Sequence, residues 1–315
     1  MKAVVYDKSN KPEVLVLREV EKPVPTGDQV LIKIMSVSVN AADYRSMRYG
    51  IIPQRKIFGA DIAGIVKAVG PDVKLYKIGD EVFGDLASFG FGGFAEYVSV
   101  TEKAVAAKPA GVTFEIASTI PIAGITALQG LRDLGKIQPA QKVLIVGAGG
   151  GVGNFAVQLA KYYGAQVTAL CGPKNAEIVK SLGANRVIDY TNSNFTTENH
   201  KYDLILAVNG NYRLAEFRRA LNPNGIMVMA GGALIQLFRL MAFGWLFSMG
   251  SQKMHLLKAE ANTKDLTFLI KLVEEGKLKT VIDRTYPLAE TAEAMKYANR
   301  GHALGKVVIK STTRY

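Results

Sequence analysis

A strand, a glycine-rich turn and a helix follow one another between residues 142 and 164, and this segment constrains the fold more than any other. The run KVLIV at 142–146 is apolar, as expected of a strand buried on both faces of a parallel sheet. The turn GAGGGVG at 147–153 leads into an amphipathic helix over 154–163, which ends at Gly164. This order predicts one βα unit of a doubly wound α/β domain.

Strands and helices continue to alternate along the middle of the chain. The pattern predicts strands at 166–170, 186–190, 202–208 and 225–232, and a helix at 176–183. Because strands that alternate with helices of this length form linked βαβ units, we expect a parallel sheet.

The two ends of the chain have a different pattern. Up to about residue 121, apolar stretches at 30–39, 62–70 and 95–100 are separated by Gly, Pro and Asp, which predicts a mostly β domain. Residues 115–137 have helical spacing.

After residue 259, one helix (265–278) and two strands (281–288 and 306–310) are too few for a separate domain and are expected to return to the first one. A chain of 315 residues is long enough for two cores. We therefore predict a β domain from residues 1–121 and 259–315, and a doubly wound domain from 122–258.

The glycine turn predicts a dinucleotide site. Glycines at this turn let a pyrophosphate approach the backbone N–H groups at the positive end of the following helix. The spacing is G-x-x-G-x-x-G rather than the strict G-x-G-x-x-G, so the interpretation depends on the strands and the helix around the turn. The alternative is a turn whose glycines are needed only for packing. An NAD site has an Asp or Glu at the end of the second strand, and this chain has none there but carries Lys174 shortly after it. A lysine would attract the 2′-phosphate of NADPH, so NADPH is favoured. The alternative is that Lys174 is an ordinary solvated loop lysine.

Composition narrows the classes of function. The net charge is +12, but the basic residues are scattered singly, so nucleic-acid binding is not expected. The single cysteine, Cys171, excludes an internal disulfide and a zinc site built from several thiolates. The first residues read as a strand and not as a signal peptide, so we expect a cytoplasmic protein.

Nine motifs spread over the chain resemble one family: SVSVNAAD, GADIAGIVKAVG, KIGDEVFG, GGFAEYV, PIAGITALQGL, GAGGGVGNFAVQLAK, SLGANRVIDY, LVEEGKLKTVID and HALGKVVI. The sequence resembles the medium-chain dehydrogenases/reductases, in their zinc-free quinone oxidoreductase branch. The resemblance implies a GroES-like β domain and a Rossmann domain with an active site in the cleft between them, and a homodimer. Alcohol dehydrogenases of this superfamily have a His-Glu pair where this chain has Ala60-Asp61, so no metal ligand is expected.

The resemblance also implies roles for particular residues. Asn40 is expected beside nicotinamide and substrate, where its amide would donate to a carbonyl oxygen, or else it closes a turn. Asp43 is expected to cap the next segment. Tyr44 is expected to donate a proton or a hydrogen bond to the substrate, and Tyr49 is the competing candidate. The alternative is that Tyr44 lines the cleft without taking part in the chemistry. The residues expected to contact the cofactor are Thr126, Gly149, Gly150, Gly151, Val152, Gly153, Cys171, Lys174, Tyr190, Val208, Asn209, Gly231, Gly232 and Lys306.

The apolar segment 233–250 has three interpretations: a buried helix at a dimer interface, a lid over an apolar substrate pocket, or a weak anchor at a membrane surface. For the whole chain, the main hypothesis is an NADPH-dependent, metal-free reductase of small hydrophobic quinones or α,β-unsaturated carbonyls. An NADPH-binding regulatory or scaffold protein and a zinc-dependent alcohol dehydrogenase are the alternatives.

Overall fold

The computed structural model describes residues 1–7, 14–232, 234–248 and 250–311. The chain divides into two compact units. The first unit comprises Met1–Ala123, Ala261–Gly276 and Ile282–Tyr315, and the second comprises Gly124–Glu260 and Lys277–Val281. The chain thus changes unit within two residues of the boundaries expected from the sequence. The return of Lys277–Val281 to the second unit was not foreseen.

The elements before residue 130 are mostly strands. They are β1 (Lys2–Asp7), β2 (Val14–Glu19), β3 (Gln29–Val39), α1 (Ala41–Arg48), β4 (Asp61–Val69), β5 (Glu81–Asp85), β6 (Tyr97–Thr101), β7 (Val105–Ala107), α2 (Phe114–Ser118) and α3 (Pro121–Gln129).

Strands and helices alternate in the middle of the chain. They are β8 (Lys142–Val146), α4 (Gly151–Tyr162), β9 (Gln166–Cys171), α5 (Ala176–Ser181), β10 (Arg186–Asp189), β11 (Tyr202–Ala207), α6 (Leu214–Ala220), β12 (Leu221–Met229), α7 (Leu234–Phe247) and β13 (Lys253–Leu256). The last elements are α8 (Thr263–Glu274), β14 (Ile282–Pro287), α9 (Thr291–Asn299) and β15 (Lys306–Lys310).

The first unit is built on a mixed sheet in the order β14-β15-β3-β4-β5-β7, with β6 also paired to β3. The long strand β3 lies at its centre because its side chains are buried along most of its length. Strand β15 pairs antiparallel with β3, so the C-terminal strands complete this sheet as expected. Apolar side chains of β3, β4, β15 and α9 form the core, among them Ile32, Ile62, Ile309 and Met295.

The second unit contains a six-stranded sheet in the order β10-β9-β8-β11-β12-β13, in which every pairing is parallel. The expected parallel sheet is therefore confirmed. The order reverses direction between β8 and β11, and this is where doubly wound sheets bind their ligands. Strand β8 is at the centre, which explains why its apolar run is uninterrupted.

The prediction of one helix over 115–137 is wrong in one respect. The segment is divided into α2, α3 and a single π-helical turn at Gly130–Leu134. Proline has no N–H to donate, and it therefore suits the first position of a helix. Pro121 occupies that position in α3, and the next N–H, of Ile122, donates to the Asp61 carboxylate at 3.1 Å. A carboxylate at a helix N-terminus is favourable, so Asp61 helps to fix the start of α3.

Candidate functional site

The glycine turn of the second unit has three glycines with three different constraints. Gly147 has a φ of +84°, which favours glycine. A Cβ on Gly153 would lie 2.2 Å from the carbonyl oxygen of Gly147, so a side chain there would collide with the backbone. At Gly150 a Cβ would meet nothing closer than 3.7 Å. The turn is therefore tight at its start, closely packed at its end and open in the middle.

Helix α4 begins at Gly151, three residues before the helix expected at 154. Gly150 precedes it in an extended conformation, and the N–H groups of the first helical turn have no acceptor within the helix. The open space over Gly150 thus adjoins the positive end of a helix, as binding of a pyrophosphate requires. Gly151 and Val152, which the sequence predicts to contact the cofactor, lie in that first turn.

Asn175 is a residue of this region that the sequence did not single out. A Cβ on Gly149 would lie 2.3 Å from the Asn175 amide nitrogen, so the side chain rests against the turn. Its Oδ1 atom is buried and has no hydrogen-bond partner within the part of the chain described above. Buried amide oxygens are normally paired. An unpaired one beside the glycine turn fits a ligand with hydroxyl groups, such as a nucleotide.

The strand ends next to the turn place two more predicted residues together. Lys174 is exposed in a short 3-10 turn after β9. Tyr190 follows β10 and is 53% exposed. Its hydroxyl lies 3.0 Å from the position of a Cβ on Gly172, so the phenol covers the residue two positions before Lys174.

One carboxylate, Asp189, also lies at these strand ends. Its Oδ1 accepts hydrogen bonds from the N–H and hydroxyl of Thr191, and its Oδ2 accepts one from the Asn192 amide. Asp189 therefore closes its own turn. Both of its carboxylate oxygens already accept hydrogen bonds from neighbouring residues. Asp189 therefore does not take the place of the acid that would follow β9 in an NAD site.

Cys171, another predicted cofactor-binding residue, is buried at the end of β9. Its side chain is only 2% exposed, and burial raises the pKa of its thiol to about 11. Its carbonyl oxygen accepts a hydrogen bond from the N–H of Tyr190. The thiol therefore keeps its proton at neutral pH, and the contact of Cys171 with the cofactor stays a prediction.

The other predicted residues at strand ends do lie at this edge of the sheet. The N–H groups of Val208 and Asn209 donate to the carbonyl of Val146. A Cβ on Gly147 would lie 2.9 Å from that of Asn209, and one on Gly231 would lie 2.4 Å from the carbonyl oxygen of Val208. Gly232 follows with a φ of +123°. The carboxyl ends of β8, β11 and β12 are thus adjacent, as the sheet order requires. Thr126 lies elsewhere, buried within α3.

Lys306, a predicted cofactor-binding residue, lies in the interior of the first unit. Its side chain is 4% exposed. The ammonium donates to Oδ1 of Asn40 at 2.5 Å and lies 3.5 Å from Oδ2 of Asp61. Its ammonium is therefore engaged with partners inside the first unit, and its contact with the cofactor stays a prediction.

Both polar atoms of the Asn40 side-chain amide form hydrogen bonds. Its Nδ2 group donates to the carbonyl of Ser38 at 3.1 Å and to Oδ2 of Asp61 at 2.8 Å, while its Oδ1 accepts from Lys306. An amide has two N–H groups, and both are used here. The expected hydrogen bond from Asn40 to a substrate carbonyl is therefore not available in this arrangement. Asn40 instead ties β3 to β4 and β15.

Asp43 caps α1 as predicted. Its Oδ2 accepts from the N–H of Asn40 at 2.7 Å, and its Oδ1 accepts from the N–H of Gly59 at 3.0 Å. Burial nevertheless raises the pKa of Asp43 to about 7, and the nearby Asp61 adds to this effect.

Asp61 faces Asp85 across the β4–β5 pair. Burial raises the pKa of Asp61, although the Lys306 ammonium and the Asn40 amide oppose the change. Burial and then Asp61 raise the pKa of Asp85 to about 7. For Lys306, burial lowers the pKa against the attraction of these carboxylates. One ammonium thus serves three buried carboxyl groups, and burial raises the pKa of each of them, to about 7 for Asp43 and Asp85.

Tyr44 lies one residue after Asp43 on α1 and packs half-buried against the core of the first unit. Burial raises the pKa of its phenol, so the hydroxyl keeps its proton at neutral pH. Its competitor Tyr49 ends the helix and is 46% exposed.

No three His, Cys, Asp or Glu side chains among the described residues are grouped so as to hold a metal ion. Metal analysis of the purified protein would test whether it binds zinc, and the metal-free reaction stays a prediction.

Comparison with known proteins agrees with this architecture. Residues 26–110 match the family described as alcohol dehydrogenase GroES-like domain, and residues 182–309 match the family described as zinc-binding dehydrogenase. The chain is 36% identical over 311 residues to the chloroplastic quinone-oxidoreductase QR1 of Triphysaria versicolor, covering 93% of this chain and 94% of that protein. It is 34% identical to the chloroplastic NADPH-dependent alkenal/one oxidoreductase of Arabidopsis thaliana, covering 98% and 79%.

Among solved structures, the quinone oxidoreductase from Coxiella burnetii superposes with a TM-score of 0.90 at 29% identity and covers 99% of both chains. The protein is therefore a medium-chain dehydrogenase/reductase, with a GroES-like domain and a Rossmann-type sheet. Within that superfamily it belongs to the quinone oxidoreductase-like branch, and it is an oxidoreductase that uses a nicotinamide cofactor.

Proposed function

We propose that the protein is an NADPH-dependent reductase of quinones or α,β-unsaturated carbonyl compounds, and that it works without a metal ion. The end of β9 carries the argument for NADPH. Lys174 is exposed there, the Tyr190 phenol covers Gly172 two positions before it, and the Asp189 carboxylate is engaged by its own turn. An ammonium attracts a 2′-phosphate, whereas an NAD site has an acid that accepts from the 2′-hydroxyl.

The names of the relatives support the class of substrate. One is a quinone oxidoreductase and another an NADPH-dependent alkenal/one oxidoreductase. Quinones and enones are already electrophilic at the atom that accepts a hydride. Neither a Lewis acid nor a strong base is therefore needed to activate them.

The residues present fit the cofactor, which would supply the hydride when bound. Gly150 and the first turn of α4 would hold its pyrophosphate, and Asn175 would accept from a sugar hydroxyl. Tyr44 keeps its proton at neutral pH and would donate to the oxygen on which charge develops. Asn40 and Asp43 would act indirectly, because they fix the start of the helix that carries Tyr44.

The cofactor assignment is tested by steady-state kinetics with NADPH and NADH. A charged hydrogen bond is worth about 1.5–3 kcal/mol, so Lys174→Ala should lower kcat/KM for NADPH by about 10- to 100-fold. The value for NADH should not change. Lys180→Ala removes another exposed lysine on the following helix and serves as the control. Wild-type activity with NADH and none with NADPH would contradict the assignment.

The reaction is tested with a panel of quinones and enones. Tyr44→Phe should lower kcat for enones by at least tenfold and leave the NADPH dissociation constant unchanged, because the phenol acts on the substrate. Tyr49→Phe is the matched control. Tight NADPH binding with no turnover of any acceptor would refute the reductase and favour a regulatory NADPH-binding protein. The homodimer and the cytoplasmic location stay predictions.

A further inference from the structure

Helix α7 presents an apolar surface to solvent. Phe238 and Met241 are 68% and 61% exposed, and Arg239 and Ala242 beside them are exposed as well. On the other side of the helix, Leu240 is buried in the core of the second unit. The fold therefore leaves a phenyl ring and a thioether in water on a helix whose opposite side is already packed. Large apolar side chains exposed next to one another mark interaction sites.

Arginines line the neighbouring helix α6. Right-handed crossovers place α6 and α7 on the same side of the sheet, and the two helices pack against each other. An open cavity of about 660 Å³ on α6 is lined by Arg213, Ala215, Glu216, Arg218, Arg219 and Gln252. None of the residues predicted for the cofactor or for catalysis lines this cavity, so it needs a separate explanation.

The cavity lies next to the chain that leaves α7. The Gln252 amide donates to the carbonyls of Arg218 and Leu221, which ties that chain to the end of α6. Two exposed lysines extend the positive charge: the Lys201 ammonium donates to the carbonyl of Arg219, and that of Lys253 donates to the carbonyls of Ser248 and Gly250. We call the exposed side of α6 and α7, with these flanking lysines, the α6–α7 face. Six basic side chains and one acid lie on it.

The combination of charge and apolar side chains selects the partner. A helix that lies on a bilayer inserts aromatic and aliphatic side chains while its basic neighbours meet anionic headgroups. Arginine binds phosphate with two parallel hydrogen bonds, which suits lipid headgroups. A second copy fits less well, because a two-fold interface uses the same surface of both copies and would set this mostly basic face against itself. The helices in the described ranges are too short or too polar to cross a bilayer.

We propose that the α6–α7 face docks the protein on the surface of an anionic lipid bilayer. The Phe238 and Met241 side chains enter the interface, and the α6 arginines contact lipid phosphates. This docking is independent of the reductase proposal, since it uses none of the residues assigned there.

The test is flotation of the full-length protein with vesicles of phosphatidylcholine alone or mixed with phosphatidylglycerol. We expect binding to the mixed vesicles only, and less of it at high salt. Each basic residue near an anionic surface contributes about a fivefold gain in binding, so Arg218→Gln/Arg219→Gln should weaken it by about 25-fold. Phe238→Ser/Met241→Ser should weaken it by at least tenfold. Lys67→Gln/Lys103→Gln removes the same charge from exposed sites in the first unit and should have little effect.

Three outcomes would overturn the proposal. Equal losses in the arginine variant and the lysine control would show that net charge alone drives binding. A change of molar mass in light scattering for Phe238→Ser/Met241→Ser would show that the face joins two copies of the chain. Binding to polyglutamate as tight as to the mixed vesicles, and unchanged in Phe238→Ser/Met241→Ser, would indicate an acidic protein as the partner. Circular dichroism melts confirm that each variant is folded, as expected for changes at exposed positions.

Discussion

Replacing Lys306 with methionine removes the ammonium that lies beside the buried carboxylates and keeps a side chain of similar volume. Its ammonium lies 3.5 Å from Asp61, whose side chain is fully buried. At an effective dielectric constant of about 20, a pair at that distance is worth about 5 kcal/mol. Breaking a buried pair by removing one partner costs about 3–5 kcal/mol. We therefore expect Lys306→Met to lower the free energy of unfolding by about 3–5 kcal/mol at pH 8.

The loss should depend on pH. Burial raises the pKa of Asp61 above its usual value and brings the pKa of Asp43 and of Asp85 to about 7. As the pH falls these carboxyl groups take up protons and need the counter-charge less, so the loss should be smaller at pH 5.5 than at pH 8. Urea unfolding followed by circular dichroism measures both values. The double variant Lys306→Met/Asp61→Asn should recover much of the stability, since neither buried charge remains. A loss that is equal at both pH values, or a double variant less stable than the single one, would refute this reasoning.

Three other variants probe separate features. Gly153→Ala should destabilise the protein by about 1–3 kcal/mol or more in urea, because its Cβ would meet backbone atoms; a wild-type midpoint would contradict the packing. Asp85 has a folded pKa of about 7, above its unfolded value, so it costs stability as the pH rises from 4 to 7. Asp85→Asn, which can still accept from Ala87, should remove up to about 1.4 kcal/mol per pH unit of that slope, and an unchanged slope in urea titrations would refute it. The Gln158 amide donates to the carbonyl of Lys279 and accepts from its N–H. Gln158→Leu should therefore lower the free energy of unfolding by about 1–3 kcal/mol, measured by thermal melts. Proteolysis near residue 279 should also become faster if the contact holds that segment in place.

Much of the second unit could be predicted from the sequence because its signals are local. The apolar run before Gly147, the turn itself and the alternating helices each depend on neighbours within a few residues. These signals gave the parallel sheet and the open turn at Gly150. Asn175 was missed because nothing local distinguishes it from any other loop amide. Only the folded turn shows that its side chain rests on Gly149 and leaves an oxygen unpaired.

The buried polar cluster of the first unit was decided by tertiary structure alone. Asn40, Asp61 and Lys306 are brought together by the pairing of β3 with β4 and with β15, across as many as 266 positions of sequence. From the sequence, Asn40 reads as an amide available to the substrate and Lys306 as a residue that borders the cofactor. Their burial and hydrogen-bond partners could not be predicted, because these depend on residues far along the chain. The sequence by itself thus determined the cofactor class and the layout of the sheet. Only the tertiary structure showed which polar groups remain available to a ligand, because that depends on which partners the fold has already supplied.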